Sequence, residues 1–196
     1  MSCIVFENVT KSFDGKNVLS SLSFEVKQRE MLAIMGPSGC GKTTILNLIL
    51  GSLKPDSGKI SVPKNASVVF QEDRLFEEFS ALSNVEAIIP PRQDKEHCAA
   101  ILNALGIEDL KKPVRKLSGG MKRRVAIARA LAIEADFYVL DEPFKGLDEN
   151  TKDEVIAFVK ERLEGKTVVV VTHQKDEAEK LNARIMLLDK LGNIIE

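Results

Sequence analysis

Gly36-Pro37-Ser38-Gly39-Cys40-Gly41-Lys42-Thr43 fits the spacing G-x-x-x-x-G-K-[ST]. It stands between a short apolar run, Met31 to Met35, and a helical pattern from Thr43 to Leu50. That strand–loop–helix order is what the motif needs to act as a phosphate-binding loop. Glycines let successive backbone N–H groups curl round phosphate oxygens, and the helix adds the positive end of its dipole. Lys42 would then reach the β- and γ-phosphates, and the Thr43 hydroxyl would ligate Mg2+. A chain organised around this element is expected to be an α/β protein that binds a nucleoside triphosphate.

The flanking pattern agrees. Cys3 to Thr10 and Val18 to Val26 are rich in β-branched and apolar residues, with Asp14-Gly15 between them as a hairpin turn. Gly51, Pro55 and Gly58 punctuate an expected loop, and Ser67 to Phe70 reads as a strand. From Glu72 to about Lys116 the periodicity turns helical, with a break at Pro90-Pro91. Phe137 to Leu140, Val168 to Val171 and Ile185 to Leu188 are continuous apolar runs separated by helical stretches such as Lys152 to Leu163. Strands apolar on both faces, alternating with helices, predict a mainly parallel sheet. The expected plan is one domain over residues 1–196. An α/β core with an N-terminal antiparallel β part takes about 1–71 and 117–196, and a helical subdomain takes about 72–116.

Phe137 to Leu140 runs into two carboxylates, Asp141 and Glu142. Beside a phosphate loop, Asp141 is placed to hold Mg2+, and Glu142 to polarise the attacking water as general base. Leu117-Ser118-Gly119-Gly120-Met121 opens another helix, on which Met121, Val125, Ala128 and Ala132 recur as one face. Ser118 is a good N-cap, and the two glycines leave the helix end open to an anion. This is a second phosphate-binding surface in the same chain.

Bulk properties exclude several classes. Of 196 residues, 44% are hydrophobic, enough for a substantial core. Lys and Arg total 28 against 29 Asp and Glu, so the net charge of -1 argues against global attraction to nucleic acid. No apolar run approaches the roughly 18 residues that span a bilayer, and Met1 to Glu7 lacks a secretory signal's pattern. Cys3, Cys40 and Cys98 have neither metal-site nor disulfide spacing, which fits a reducing cytoplasm. The stretch from Lys111 to Arg129 holds eight basic residues and no acidic one, read as a solvated helix face. His97 reads as a surface residue, and with the last strand closely followed by the end of the sequence, near Ile194-Ile195, no C-terminal regulatory domain is expected.

Taken in order, these motifs closely resemble the ATP-binding cassette family, the ATPase subunits of ABC transporters, over essentially the whole chain. The resemblance implies a P-loop NTPase core and further site residues. Gln71 matches the glutamine that contacts Mg2+ and links the site to the helical subdomain. Leu117 to Met121 matches the signature motif, with Met121 where glutamine is usual. Gly146-Leu147-Asp148 matches the D-loop, and His173 the switch histidine at the γ-phosphate. Phe13 matches the aromatic position, usually tyrosine, on which adenine stacks. Thr44 falls among the nucleotide-contacting residues beside Thr43. Gln174 stands where aspartate is common. The family implies a head-to-tail homodimer that closes on ATP, each nucleotide held between one protomer's phosphate loop and the other's Ser118 and Gly120.

The compact single cassette favours transport over DNA repair, chromosome maintenance or translation, whose members carry long insertions or two cassettes. The expected protein hydrolyses ATP on the cytoplasmic face of a membrane and drives separate integral-membrane permease subunits. The run Gln71 to Phe76 is most like importers of the nitrate, sulfonate and taurine type, which work with an extracytoplasmic substrate-binding protein. Leu75, Phe76 and Phe79 are expected to line the groove that receives the permease's coupling helix. A GTPase would need N-K-x-D, and the nearest string, Thr151-Lys152-Asp153-Glu154, has the wrong fourth residue.

Overall fold

The computed structural model describes residues 2–90 and 96–195, so Pro91 of the expected break lies outside the described residues. The strands are β1 (Ser2–Phe13), β2 (Lys16–Lys27), β3 (Met31–Met35), β4 (Ser57–Ser61), β5 (Ala66–Val69), β6 (Phe137–Asp141), β7 (Val168–Val171) and β8 (Arg184–Leu187). The helices are α1 (Lys42–Ile49), α2 (Ala81–Glu86), α3 (Glu96–Ala104), α4 (Gly119–Leu131), α5 (Glu149–Arg162) and α6 (Lys175–Lys180). The strands form a three-stranded sheet, β2-β1-β4, and a five-stranded one, β5-β6-β7-β3-β8. The chain divides into two compact units: Met1–Ala66, Asp136–Val139 and Gly165–Glu196 in the first, Ser67–Ala135 and Leu140–Glu164 in the second.

In the first unit, Asp14 (φ 49°) and Gly15 (φ 74°) make the left-handed turn that the twist of a tight hairpin requires. β1 and β2 pair antiparallel and bury Ile4, Phe6 and Val9 with Leu19, Leu22 and Val26. Phe6 stacks on Phe24 at 4.5 Å. The loop expected through Gly58 is instead part of β4, which pairs antiparallel with β1. A β-carbon on Gly58 (φ 85°) would meet the Asn8 carbonyl oxygen at 2.3 Å, so the glycine that looked like a loop marker permits close pairing at a bulge. β3 lies between β7 and β8 and is parallel to both. Leu32, Ala33 and Ile34 are fully buried, as are Val168, Val169 and Val170, which explains their unbroken apolar character.

In the second unit the helices pack through α4. Its buried residues include Val125, Ala126, Ile127, Ala128, Ala130 and Leu131, far more than the single face its spacing predicted. Ser80 caps α2 by accepting a hydrogen bond from Ser83 N–H at 3.0 Å. Buried Ser67 donates to the Ala130 carbonyl at 2.6 Å, fixing the end of α4. His97 is half-buried, and its Nε2 meets the Ala132 carbonyl at 2.8 Å beyond that helix. It therefore caps the end of that helix, a role that reading it as a surface residue did not include.

Candidate functional site

In the first unit β3 delivers the chain directly into the glycine-rich loop. Gly36 has φ 152° and Gly41 φ 100°. A β-carbon on Gly41 would meet Leu19 at 2.9 Å. Pro37, Ser38 and Gly39 are exposed, whereas Cys40 is buried with its Sγ 3.9 Å from Lys42 Nζ. The Lys42 ammonium donates to the carbonyls of Gly36 (2.8 Å) and Pro37 (2.9 Å), so it lies folded inside the loop that the motif describes. Gly41 begins α1 with no side-chain cap, and Thr43 is exposed with Thr44 half-buried behind it. Phe13, at the end of β1, is 43% exposed and carries Lys11 Nζ 5.6 Å above its ring. That leaves an aromatic face available for stacking.

The parallel register Ile34↔Val171 brings the carboxyl ends of β3 and β7 to one edge. β7 runs into Thr172 and His173, so this pairing places the phosphate loop and the histidine at the same edge. His173 is exposed. Its neighbour Thr172 is buried, donates its hydroxyl to the buried Glu177 carboxylate, and accepts from Gln174 N–H at 3.1 Å. The turn that presents His173 is thus pinned from within.

In the second unit, Gln71 follows β5 and is exposed. Asp141 ends β6 half-buried, and Glu142 beside it takes φ 45°, a left-handed conformation rare for a side-chain-bearing residue. The Glu142 carboxylate pairs with Lys145 at 3.2 Å. Ser118 caps α4, its Oγ accepting from Met121 N–H at 3.2 Å. Around Gly119 nothing lies within 4 Å of an added β-carbon, which leaves this helix end open to a ligand. Gly120 would find Leu147 at 3.5 Å. Asp148 caps α5, accepting from Thr151 N–H at 3.1 Å. That bond, aided by the Arg124 charge, holds its carboxyl below the usual carboxylate range.

The basic stretch is not simply solvated. Arg124 donates to the Leu105 carbonyl at 2.7 Å, and Arg129 to those of Arg74 and Asp73 at 2.8 and 2.9 Å. Arg123 is 3% exposed. Its Nε donates to the Pro143 carbonyl (2.8 Å), its Nη2 to those of Asp141 and Glu142 (both 2.8 Å), and its Nη1 to Phe70 (2.6 Å). Asp73 supplies the counter-charge at 3.1 Å. Sequence reasoning missed this residue because helical spacing set it apart from the Met121–Val125 face. The available signal was chemical: arginine's planar fork suits several carbonyls at once.

The family model described as ABC transporter matches residues 19–145. Among curated proteins, the chain is 35% identical to a taurine import ATP-binding protein of a Jannaschia species, over 96% of this chain and 78% of the relative. It is 36% identical to an aliphatic sulfonates import ATP-binding protein of Rhodococcus jostii, over 98% and 74%. It is 37% identical to a probable amino-acid ABC transporter ATP-binding protein of Haemophilus influenzae, over 100% and 87%. Among solved structures, a dimeric post-hydrolysis state of the ATP-binding cassette MJ0796, bound to ADP and Pi, superposes with a TM-score of 0.86 at 30% identity, covering 98% of this chain and 97% of that one.

Proposed function

Because this chain belongs to the ABC transporter family, we propose that it is the ATP-hydrolysing subunit that powers translocation by separate membrane permease subunits. The observation that carries this reading is the pair of phosphate-binding elements in one chain. One is the loop closed over Lys42; the other is the Ser118-capped, glycine-opened end of α4. A lone phosphate loop has no use for the second element, whereas two copies arranged head to tail give each ATP one of each. The dimeric cassette structure supports that assembly.

In this reading adenine stacks on Phe13, while residues 36–44 wrap the phosphates through backbone N–H groups. Ser118, Gly119 and Gly120 of the partner subunit close over the γ-phosphate, with Asp148 at the junction. Closure draws two cassettes together and moves the helical subdomain, about residues 72–116, and with it the permease. Glu142 accepts a proton from the attacking water; Lys42 and His173 stabilise the charge that spreads over the γ-phosphate oxygens. Loss of the phosphate bridge reopens the dimer.

The hydroxyl of Thr43, the amide oxygen of Gln71 and the carboxylate of Asp141 are hard oxygen donors of the kind Mg2+ takes, and none is fully buried. These residues would hold the ion, which when bound neutralises phosphate charge and orients the β- and γ-oxygens.

Among the described residues no helix is long and apolar enough to cross a membrane, so the membrane path belongs to other chains in this proposal. The names of the taurine and sulfonate relatives support an importer of the nitrate, sulfonate and taurine type, served by a substrate-binding protein. This cassette then works on the cytoplasmic face of the membrane.

Two measurements test the reading. Glu142→Gln is expected to bind ATP, stall hydrolysis and accumulate dimer; full activity removes Glu142 as base. Affinity purification from detergent-solubilised native membranes is expected to bring down a multi-spanning permease. Recovery with DNA or ribosomes instead would move the protein to a non-transport ABC switch.

A further inference from the structure

Arg123 is a cation withdrawn from water, and withdrawing it is costly unless every donor finds a partner. Here its guanidinium gathers three consecutive main-chain carbonyls, those of Asp141, Glu142 and Pro143, each at 2.8 Å. Its remaining edge reaches the Phe70 carbonyl at 2.6 Å, the Gln71 carbonyl at 3.4 Å and the Asp73 carboxylate at 3.1 Å. Three successive carbonyls converge on one planar group here while the chain bends at Glu142 (φ 45°). A non-glycine residue keeps such a conformation only where its surroundings over-determine it. The fork that satisfies these carbonyls supplies that constraint.

We propose that Arg123 is a positioning residue for ATP hydrolysis: it holds the left-handed turn at Glu142 and so sets the direction of that carboxylate. This rests on the reading of Glu142 as general base. Arg123 itself touches main chain and Asp73, and it acts on the reaction through Glu142. A lysine would keep the charge but offers a point ammonium in place of the fork, and cannot hold all three carbonyls.

The test uses the full chain and three variants: Arg123→Lys, Glu142→Gln and the two combined. Arg123→Lys is expected to lower kcat about 10- to 100-fold, the scale that a misplacement near 1 Å produces. Affinity for a non-hydrolysable ATP analogue, measured without Mg2+, should stay within about threefold, because the hydrogen-bond partners of Arg123 include none of the phosphate-loop residues 36–44. In the Glu142→Gln background the same substitution should leave the residual single-turnover rate unchanged, since its target is already gone. Arg123→Gln, neutral and shorter, repeats the measurement should the lysine variant fold poorly.

A kcat within twofold of wild type in a folded Arg123 variant overturns the proposal. So does a multiplicative loss in the double variant. If both Arg123 variants lose thermal midpoint and nucleotide affinity together with rate, the residue only holds the fold and the proposal also falls. Wild-type activity in Glu142→Gln alone removes the general-base reading instead. A Glu142→Gln variant that no longer hydrolyses ATP, beside a fully active Arg123→Lys, removes the Arg123 proposal and leaves the base in place.

Discussion

A β-carbon on Gly36 would lie 2.7 Å from the carbonyl oxygen of Leu188, and the same carbonyl's residue accepts no slack because Leu188 N–H is bonded to Met35 at 2.8 Å. The phosphate loop therefore begins against a neighbouring backbone, at a φ of 152° that favours glycine. Gly36→Ala is expected to cost about 1–3 kcal/mol of stability, as an overpacked and strained position does, and to weaken ATP binding with it. Denaturant melts and calorimetry check both; an alanine variant with wild-type values would show that the loop yields.

Asn84, fully buried, accepts from Phe76 N–H at 2.8 Å and donates to the Phe76 and Ser80 carbonyls at 3.0 Å each. It shapes the segment bearing Phe76 and Phe79, which are 54% and 52% exposed with ring centroids 5.4 Å apart. Asn84→Ala should cost roughly 1–3 kcal/mol, because it strands buried backbone groups. Phe76→Ser with Phe79→Ser should leave stability nearly unchanged while weakening permease association and sparing ATP binding. Unchanged pull-down of the permease by that double variant would remove these rings from the docking surface.

Burial raises the Glu30 carboxyl, but the hydrogen bond and charge of Arg184 with the Lys27 N–H outweigh it, and the group sits below its ordinary value. A depressed carboxyl contributes stability above its unfolded value, about pH 4.3, and loses it as pH falls through the folded value. Glu30→Gln should thus melt lower than wild type at pH 7, with the gap closing as pH drops below 4. A gap that stays constant through that window would refute the ion-pair account.

Thr172→Val takes one donor from the buried Glu177 carboxylate and one acceptor from Gln174 N–H. Removing a hydrogen bond to a charged group costs about 1.5–3 kcal/mol. With the turn loosened, His173 should serve hydrolysis less well, so kcat should fall more than nucleotide affinity. Equal losses in both would place the damage in the sheet at large.

Phe13→Ala should be nearly silent in a thermal melt, given the ring's exposure. Loss of base stacking is worth about 1–3 kcal/mol, which is roughly 5- to 150-fold in ATP affinity. Titration of the variant with ATP reads this directly, and an unchanged constant would end the stacking role.

Much of the fold was legible because its signals are local. β3 and β7 are buried on both faces, so Met31–Met35 and Val168–Val171 read as unbroken apolar runs. Asp14-Gly15 announces its own turn, and Ser118 caps the helix that follows it. β4 was not legible: Ser57–Ser61 holds a single large apolar residue, Ile60, and becomes a strand because β1 offers it an edge. Strand pairing is a contact across some 50 residues, and neither partner's sequence encodes it alone.

By itself, then, the sequence determined the motif set, its order and the chemistry each residue type can perform, because side-chain identity and short-range backbone preference are properties of the chain. Only the tertiary structure decided that Arg123 faces inward to the carbonyls of Asp141, Glu142 and Pro143, or that His97 caps α4. Main-chain carbonyls are the same at every position, so a bond to one leaves no mark on the residue that accepts it. Such a partnership appears only when folding has brought donor and acceptor together.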